Sequence, residues 1–379
     1  MWNHAVEMSL LAIMKIVRRK REVLHFESSA IDRSKRILLM TTTAIGDTMF
    51  STPAIRAVKE TYPEKEVHVL CHIRNSALLR ENPYIDRLFF FRGKRKGIFS
   101  LCKSLKKQHY DMVIILHGND PECIPLAWST NAPCLIGSGT SPFAFLLSRA
   151  VTFEDETRHA IEKRLDMVRV IGANTRNKKM DLFLSPKWEE KAEGILQSRF
   201  PDGLGPLIGM HPTGTGRYKW WPSEYFCVLA DKLLSRYNAR FIIFSSCQEA
   251  TVVRSIGSQL GNRVLLADGR FDLAETASLI RRCNLFIAND SGPMHMALAL
   301  GVPTLALIGA DSPKRIGPYL AEKAAYIYKK EQVCDLLHCL NQRCPDNRCM
   351  KIIYPEEVFR IVADQFAEEL KGVSKTVPT

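Results

Sequence analysis

The residues best suited to chemistry in this chain fall into three groups. The most informative lies in NDSGPMHMALALGVPTLALIGADSPKRIGPY, residues 289–319, where Asp290, Ser291, Gly292 and His295 sit close together. Ser291 supplies a hydroxyl and Gly292 an unhindered backbone N–H, while Pro293 suits the first turn of a helix. The free N–H groups and positive dipole end of such a helix attract phosphate, so this is a seat for a diphosphate. His295 follows one turn after Ser291. Taken alone, so short a motif also reads as an ordinary strand, N-cap and helix with a structural histidine.

The second group is HPTGTGRYKWWP, residues 211–222. Thr213, Thr215 and the neighbouring N–H groups can meet phosphate oxygens, and Lys219 can neutralise a leaving diphosphate without a metal. A plain loop with a solvated lysine is the bland reading. The third group is Gly46 with Asp47, just after the first apolar run. The glycine allows a crowded backbone there, and the carboxylate is set to face a cleft at the strand's end. Asp47 reads equally as a cap for a helix whose body starts near Pro53. TTTAIGD is neither a dinucleotide fingerprint nor a P-loop, since it lacks both spacings. Glu249, after FIIFSS, stands where a Rossmann-like domain contacts a ribose hydroxyl, or caps a helix.

These groups need strands and helices to hold them. RILLMTTT, EVHVLCH, DMVIIL and CLIGSG read as strands, NPYIDRLFFF continues the alternation, and helices fall at IGDTMFSTPAIRAVKETYP and around SLCKSLKKQHY. Residues 155–172 form a helical segment, and the polar stretch from NTRNKKMDLFLSPKWEE to FPDGLGP marks a boundary. The second half repeats the alternation with strands PLIGMH, RFIIFSS, RVLLAD, LFIA and TLALIG. Pro222 opens the helix SEYFCVLADKLLSRY. The fold class is α/β, in two successive open units.

A length of 379 residues with 46% hydrophobic content allows two sizeable cores. No apolar run approaches the ~18 residues of a membrane span, and SLLAIMKIV followed by RRKR is a poor secretory signal. Eleven cysteines at scattered spacing suit a reducing cytoplasm. The net charge of +13 is concentrated in part at 92–107, with seven basic and no acidic residues. Lys15 and Arg18–Arg21 follow the apolar SLLAIM in what reads as an interfacial amphipathic helix. Peripheral contact with a membrane is the expectation. Nucleic acid is not, because no aromatic and basic interleaving or DNA-binding spacing accompanies the charge.

The combination of IGDTMFSTPAIRAVKETYP, KWWPSEYF and LAETASLIRRCNLFIANDSGPMHMALALGVPTLALIGADSPKRIGPY resembles glycosyltransferase family 9, the ADP-heptose:lipopolysaccharide heptosyltransferases, over about residues 36 to 365. The resemblance implies a GT-B fold, two Rossmann-like domains facing a central cleft. Ahead of it stands the basic amphipathic lead segment, 1–35, and the resemblance implies an acceptor domain at 36–185 and a nucleotide-sugar domain at 186–355. Residues 356–379 would hold a helix returning to the first domain. It further implies an inverting, metal-independent transfer of heptose from an ADP-sugar donor to the inner core of lipopolysaccharide, with no cofactor or dedicated protein partner. The work would be done in the cytoplasm at the inner membrane. Asp47 would be the general base and Lys219 would act on the diphosphate. Asp290, Ser291, Gly292 and His295 would bind the nucleotide, with Thr213, Thr215 and Glu249 as looser matches. Another nucleotide sugar or acceptor, or a sugar-nucleotide-binding protein without turnover, is the alternative, and a dinucleotide-dependent oxidoreductase a further one.

The tail carries Cys334, Cys339, Cys344 and Cys349 at equal five-residue intervals. Structural zinc sites favour two close pairs, so equal spacing is awkward for zinc. Zinc, a disulfide and reduced packing cysteines stay open, with the last favoured.

Overall fold

The computed structural model describes residues 4–18, 26–27, 29–93, 97–117, 122–334, 339, 344 and 346–371. Lys94–Lys96 and Arg19–Arg21, which contribute to the two basic segments, lie outside the described residues. The chain divides into two compact units, residues 1–181 and 182–379.

The first unit is built on six strands: β1 (Arg36–Thr41), β2 (Glu66–His72), β3 (Arg87–Phe91), β4 (Met112–Ile115), β5 (Cys134–Ser138) and β6 (Arg149–Val151). They run parallel in the order β3-β2-β1-β4-β5-β6. Ile37 pairs with Val67 on one side and Met112 on the other. A parallel sheet is covered on both faces, which is why Ile37–Met40 is a continuous apolar run with no exposed side chain. Leu38 and Met40 enter a cluster with Phe91, Trp128 and Phe143, on which the lead helix His4–Arg18 and the helix Ile98–Lys106 also pack. Ile37 and Leu39 point to the opposite face.

The second unit repeats the plan with β7 (Leu207–His211), β8 (Arg240–Ser245), β9 (Val264–Asp268), β10 (Leu285–Asn289), β11 (Thr304–Ile308) and β12 (Ala324–Tyr328). Its order, β12-β11-β10-β7-β8-β9, is the same doubly wound arrangement. In each unit the strand order reverses between the first and fourth strands, β1 beside β4 and β7 beside β10. In open α/β sheets the crevice beyond that reversal is the ligand site. Each unit is a Rossmann-like domain, the two-domain content of a GT-B-like chain.

Several boundaries differ from the sequence reading. The helix expected from about Pro53 runs Ile45–Thr61, with Pro53 inside it. Proline removes the N–H that would bond Met49, and the Thr52 hydroxyl donates to the Met49 carbonyl at 2.8 Å in its place. The division falls at Asp181/Leu182, ahead of residue 185. The expected linker region contains a helix, Pro186–Arg199, which buries Ala192 and Leu196. The lead segment is counted with the first unit and buries Met14 there. The tail helix, Pro355–Gln365, was expected on the first domain. Its Val358 and Val362, with Phe366 and Leu370, instead join the core of the second unit, which Phe226 and Leu229 of the helix Ser223–Tyr237 share. Their spacing makes one apolar stripe that fits that core. β6 and β12 went unread: β6 is only three residues long, and β12 buries only Ile327, so neither has the buried run of an inner strand.

Candidate functional site

In the first unit the reversal point carries Asp47, in the first turn after β1, and His117, just beyond β4. Asn75 fixes the turn that presents Asp47. Its amide donates to the Thr43 carbonyl at 2.8 Å and to the Thr48 hydroxyl at 2.9 Å. The Asp47 side chain is 23% exposed and accepts a 2.9 Å hydrogen bond from Arg164 Nη2, whose own side chain is buried. Arg164 comes from the helix Ala160–Arg169, which packs along Ile45–Thr61.

Burial alone would push the Asp47 carboxyl up. The Arg164 guanidinium, followed by His117, outweighs it and holds the carboxyl below its ordinary value. His117 is itself pushed down to about 4, by burial first and then by Arg164. At neutral pH it is therefore an uncharged ring, leaving Arg164 as the cation that keeps Asp47 ionised. His117 Nε2 accepts from the Thr42 backbone N–H at 3.1 Å, which puts the proton of the neutral ring on Nδ1. Arg56, also buried, ties the helix Ile45–Thr61 to Asp181 and to the carbonyls of Asn177 and Lys179.

In the second unit the loop after β7 and the turn after β10 come together. Asn289 accepts from the Trp221 N–H at 3.2 Å and donates to the Pro212 carbonyl at 2.7 Å, joining both ends of the 212–221 loop to β10. Gly214 packs so close to this turn that a Cβ on it would stand 3.4 Å from the Asp290 carbonyl. Trp220 donates from its ring to the Gly214 carbonyl at 2.8 Å, so the residue between Lys219 and Trp221-Pro222 braces the loop.

Lys219 Nζ bonds Asp290 Oδ2 at 2.5 Å, and His295 Nε2 lies 3.9 Å from the other carboxylate oxygen. Burial would lower the Lys219 pKa, but Asp290 prevails and raises it, so the ammonium is charged throughout the neutral range. Ser291 is the N-cap of the helix Gly292–Ala299, with Pro293 in its first turn. Its hydroxyl makes no cap bond and is buried without a partner, as is that of Thr213. Each such hydroxyl costs ~1–3 kcal/mol unless something bonds it. Two of them next to a cation at a strand-order reversal are able to meet phosphate oxygens.

Thr215 is on the same loop with an exposed side chain. Glu249 is a cap in this structure: its carboxylate accepts from the Ser246 hydroxyl at 2.9 Å and closes a capping box. The structure thus brings together Thr213, Lys219, Asp290, Ser291, Gly292 and His295. Asp47 is in the first unit. Among the described residues no group of three His, Cys, Asp or Glu side chains is arranged to hold a metal ion. Among the described residues no cysteine is in a disulfide, and burial raises the Cys349 thiol to about 11.

Arg164, His117 and Asn75 escaped the sequence reading. A signal existed for Arg164. It falls between Ile161, Leu165 and Val168 on the buried stripe of its helix, where arginine needs a partner. His117 and Asn75 carry no such pattern, because only the sheet order brings them to Asp47.

Comparison with known proteins gives the site a context. Lipopolysaccharide heptosyltransferase 3 of Escherichia coli is 26% identical over 281 residues, covering 70% of this chain and 81% of that protein. The crystal structure of the glycosyl transferase family 9 protein from Veillonella parvula superposes with a TM-score of 0.76 at 24% identity, covering 88% of this chain and 97% of that one. The E. coli ADP-heptose lps heptosyltransferase II structure gives 0.73 at 21% identity, over 88% and 99%. Both structural likenesses support the two-domain fold. Residues 98–344, which include Thr213, Lys219, Asp290, Ser291, Gly292 and His295, match the family described as glycosyltransferase family 9 (heptosyltransferase). The chain belongs to that family.

Proposed function

We propose that this protein transfers heptose from ADP-heptose to the inner core of lipopolysaccharide, with inversion at the anomeric carbon and without a metal ion. The observation that carries the reading is the pair of buried, unpartnered hydroxyls, Thr213 and Ser291, beside the Lys219–Asp290 pair at the reversal of the second sheet. This cluster fits the diphosphate of a nucleotide sugar. The relatives, an ADP-heptose and a lipopolysaccharide heptosyltransferase among them, support the donor and the acceptor.

In the proposed reaction an acceptor hydroxyl oxygen bonds to the anomeric carbon from the face opposite the diphosphate. The bond from that carbon to the diphosphate oxygen breaks, and its electron pair leaves with ADP. The hydroxyl proton passes to Asp47. A carboxylate held ionised is a weak base towards a resting alcohol, but the hydroxyl becomes acidic as its oxygen bonds to carbon. Lys219, kept in place by Asp290, neutralises the charge that grows on the departing phosphate. Thr213, Thr215, Ser291 and the Gly292 N–H hold phosphate oxygens, and His295 supports Asp290 from behind. Glu249 takes a ribose hydroxyl, exchanging its bond to Ser246 for one to the sugar. The acceptor is a lipid, so the work is done at the cytoplasmic face of the inner membrane.

A panel of nucleotide sugars tests the donor. ADP-heptose should give ADP release that depends on heptose-deficient lipopolysaccharide, with a product heavier by one heptosyl unit. Faster acceptor-dependent turnover of an ADP-hexose or of a uridine nucleotide sugar would replace the donor assignment.

A further inference from the structure

We infer that the lead helix His4–Arg18 and the helix Ile98–Lys106 present one docking surface for a bilayer of anionic phospholipid. The lead helix is apolar on two sides. Leu10, Leu11 and Met14 pack on the cluster around Leu38, Phe91 and Trp128. On the other side Met8, Ile13 and Ile16 stand 52%, 53% and 61% exposed. Helical spacing collects these three into one stripe opposite the buried one. A helix that only closed the core of its own domain would carry polar residues there. The helix Ile98–Lys106 is built alike, with Leu101, Cys102 and Leu105 on the same cluster while Phe99 in its first turn is 89% exposed. Because both helices cover the same face of the sheet, their bare side chains lie on the outside of one layer. Clustered exposed apolar side chains of this size mark a contact site.

Charge decides the partner. Residues 8–21 and 92–107 together hold twelve Lys and Arg and no Asp or Glu, in a chain whose net charge is +13. Nearly all of the excess charge of the molecule therefore belongs to these two segments. Of the described residues among them, Lys15, Arg18, Lys103, Lys106 and Lys107 are exposed. A second copy of the chain would set like charge against like charge. Nucleic acid would take up the charge and leave Met8, Ile13 and Ile16 in water. An anionic bilayer accepts the apolar side chains between its headgroups and the cations at its surface.

This surface rests on the proposed reaction only for the lipid-borne acceptor, and its test is independent of the donor. The full-length protein is sedimented with vesicles of phosphatidylcholine alone and with phosphatidylcholine mixed with phosphatidylglycerol. Binding to the mixed vesicles should be at least about tenfold stronger and should weaken with salt. Ile13→Ser with Ile16→Ser, Phe99→Ser alone, and Lys103→Glu with Lys106→Glu should each weaken it by about tenfold. All should keep the parent's thermal transition and its turnover of a delipidated, water-soluble acceptor. Equal binding to neutral vesicles, or binding untouched by all three variants, would overturn the proposal. So would a dimer in solution that Ile13→Ser with Ile16→Ser dissociates while vesicles bind neither form, because the occupant would then be a second copy. A parent that binds mixed vesicles yet transfers nothing would count against the reaction and leave the surface standing.

Discussion

Asp47 and Arg164 form the pair on which the proposed transfer depends, and the pair makes a signed prediction. The carboxyl is held below its ordinary value because Arg164 outweighs burial. The base is therefore ionised at any pH above the usual carboxylate range, and it adds stability that is lost only as pH falls through its lowered value. In Arg164→Gln the cation is gone and burial prevails, so the pKa rises. The acid limb of the kcat/KM profile should move towards neutral pH. The variant's stability should now fall as pH rises through the new value, because a buried carboxylate has to charge without a partner. An unchanged limb and an unchanged dependence of Tm on pH would remove Arg164 from this role. Thr213 offers a second test. Its hydroxyl is buried and unpartnered, so Thr213→Val should hold or raise stability, by up to about 1 kcal/mol, while weakening ADP binding by about tenfold. Lower Tm with unchanged ADP affinity would make the hydroxyl a structural group.

The helix Ile45–Thr61 and the helix Gly292–Ala299 position the two halves of the chemistry, and the sequence revealed them unequally. Ser291-Gly292-Pro293 has cap, freedom and proline in the right order, so that helix and its start were legible. Pro53 concealed the start of the other, since proline ordinarily ends a helix and the compensation comes from the Thr52 hydroxyl one residue before it. Thr52→Ala should leave the Met49 carbonyl short of a donor and cost about 1 kcal/mol, read as a lower Tm. No loss would mean that the carbonyl finds its bond elsewhere. Glu249 shows the limit in the other direction. Its place after β8 suggested a ribose contact, yet a carboxylate three residues after a serine closes a capping box just as readily, and no local pattern separates the two.

At the scale of the whole molecule, apolar runs alternating with amphipathic ones were enough to read two α/β units. A fully covered parallel sheet has to be apolar on both faces. The partners of Asp47 were not readable in the same way. His117 and Asn75 reach its turn from loops after β4 and β2, and only the strand order makes those loops neighbours. The tail helix misled for a related reason: the apolar stripe of Val358 and Val362 tells that the helix is covered, without telling by which core. The repeated sheet order gives each unit a reversal point, where open α/β sheets place their ligands, and the proposed transfer draws on both. The most direct measurement compares the parent with Asp47→Asn, using ADP-heptose and a heptose-deficient lipopolysaccharide acceptor, and reads heptosyl product and ADP affinity together. Transfer by the parent, a loss of at least about 10²-fold in the variant and an unchanged affinity for ADP are expected. Transfer by Asp47→Asn at the parent's rate would contradict Asp47 as the base.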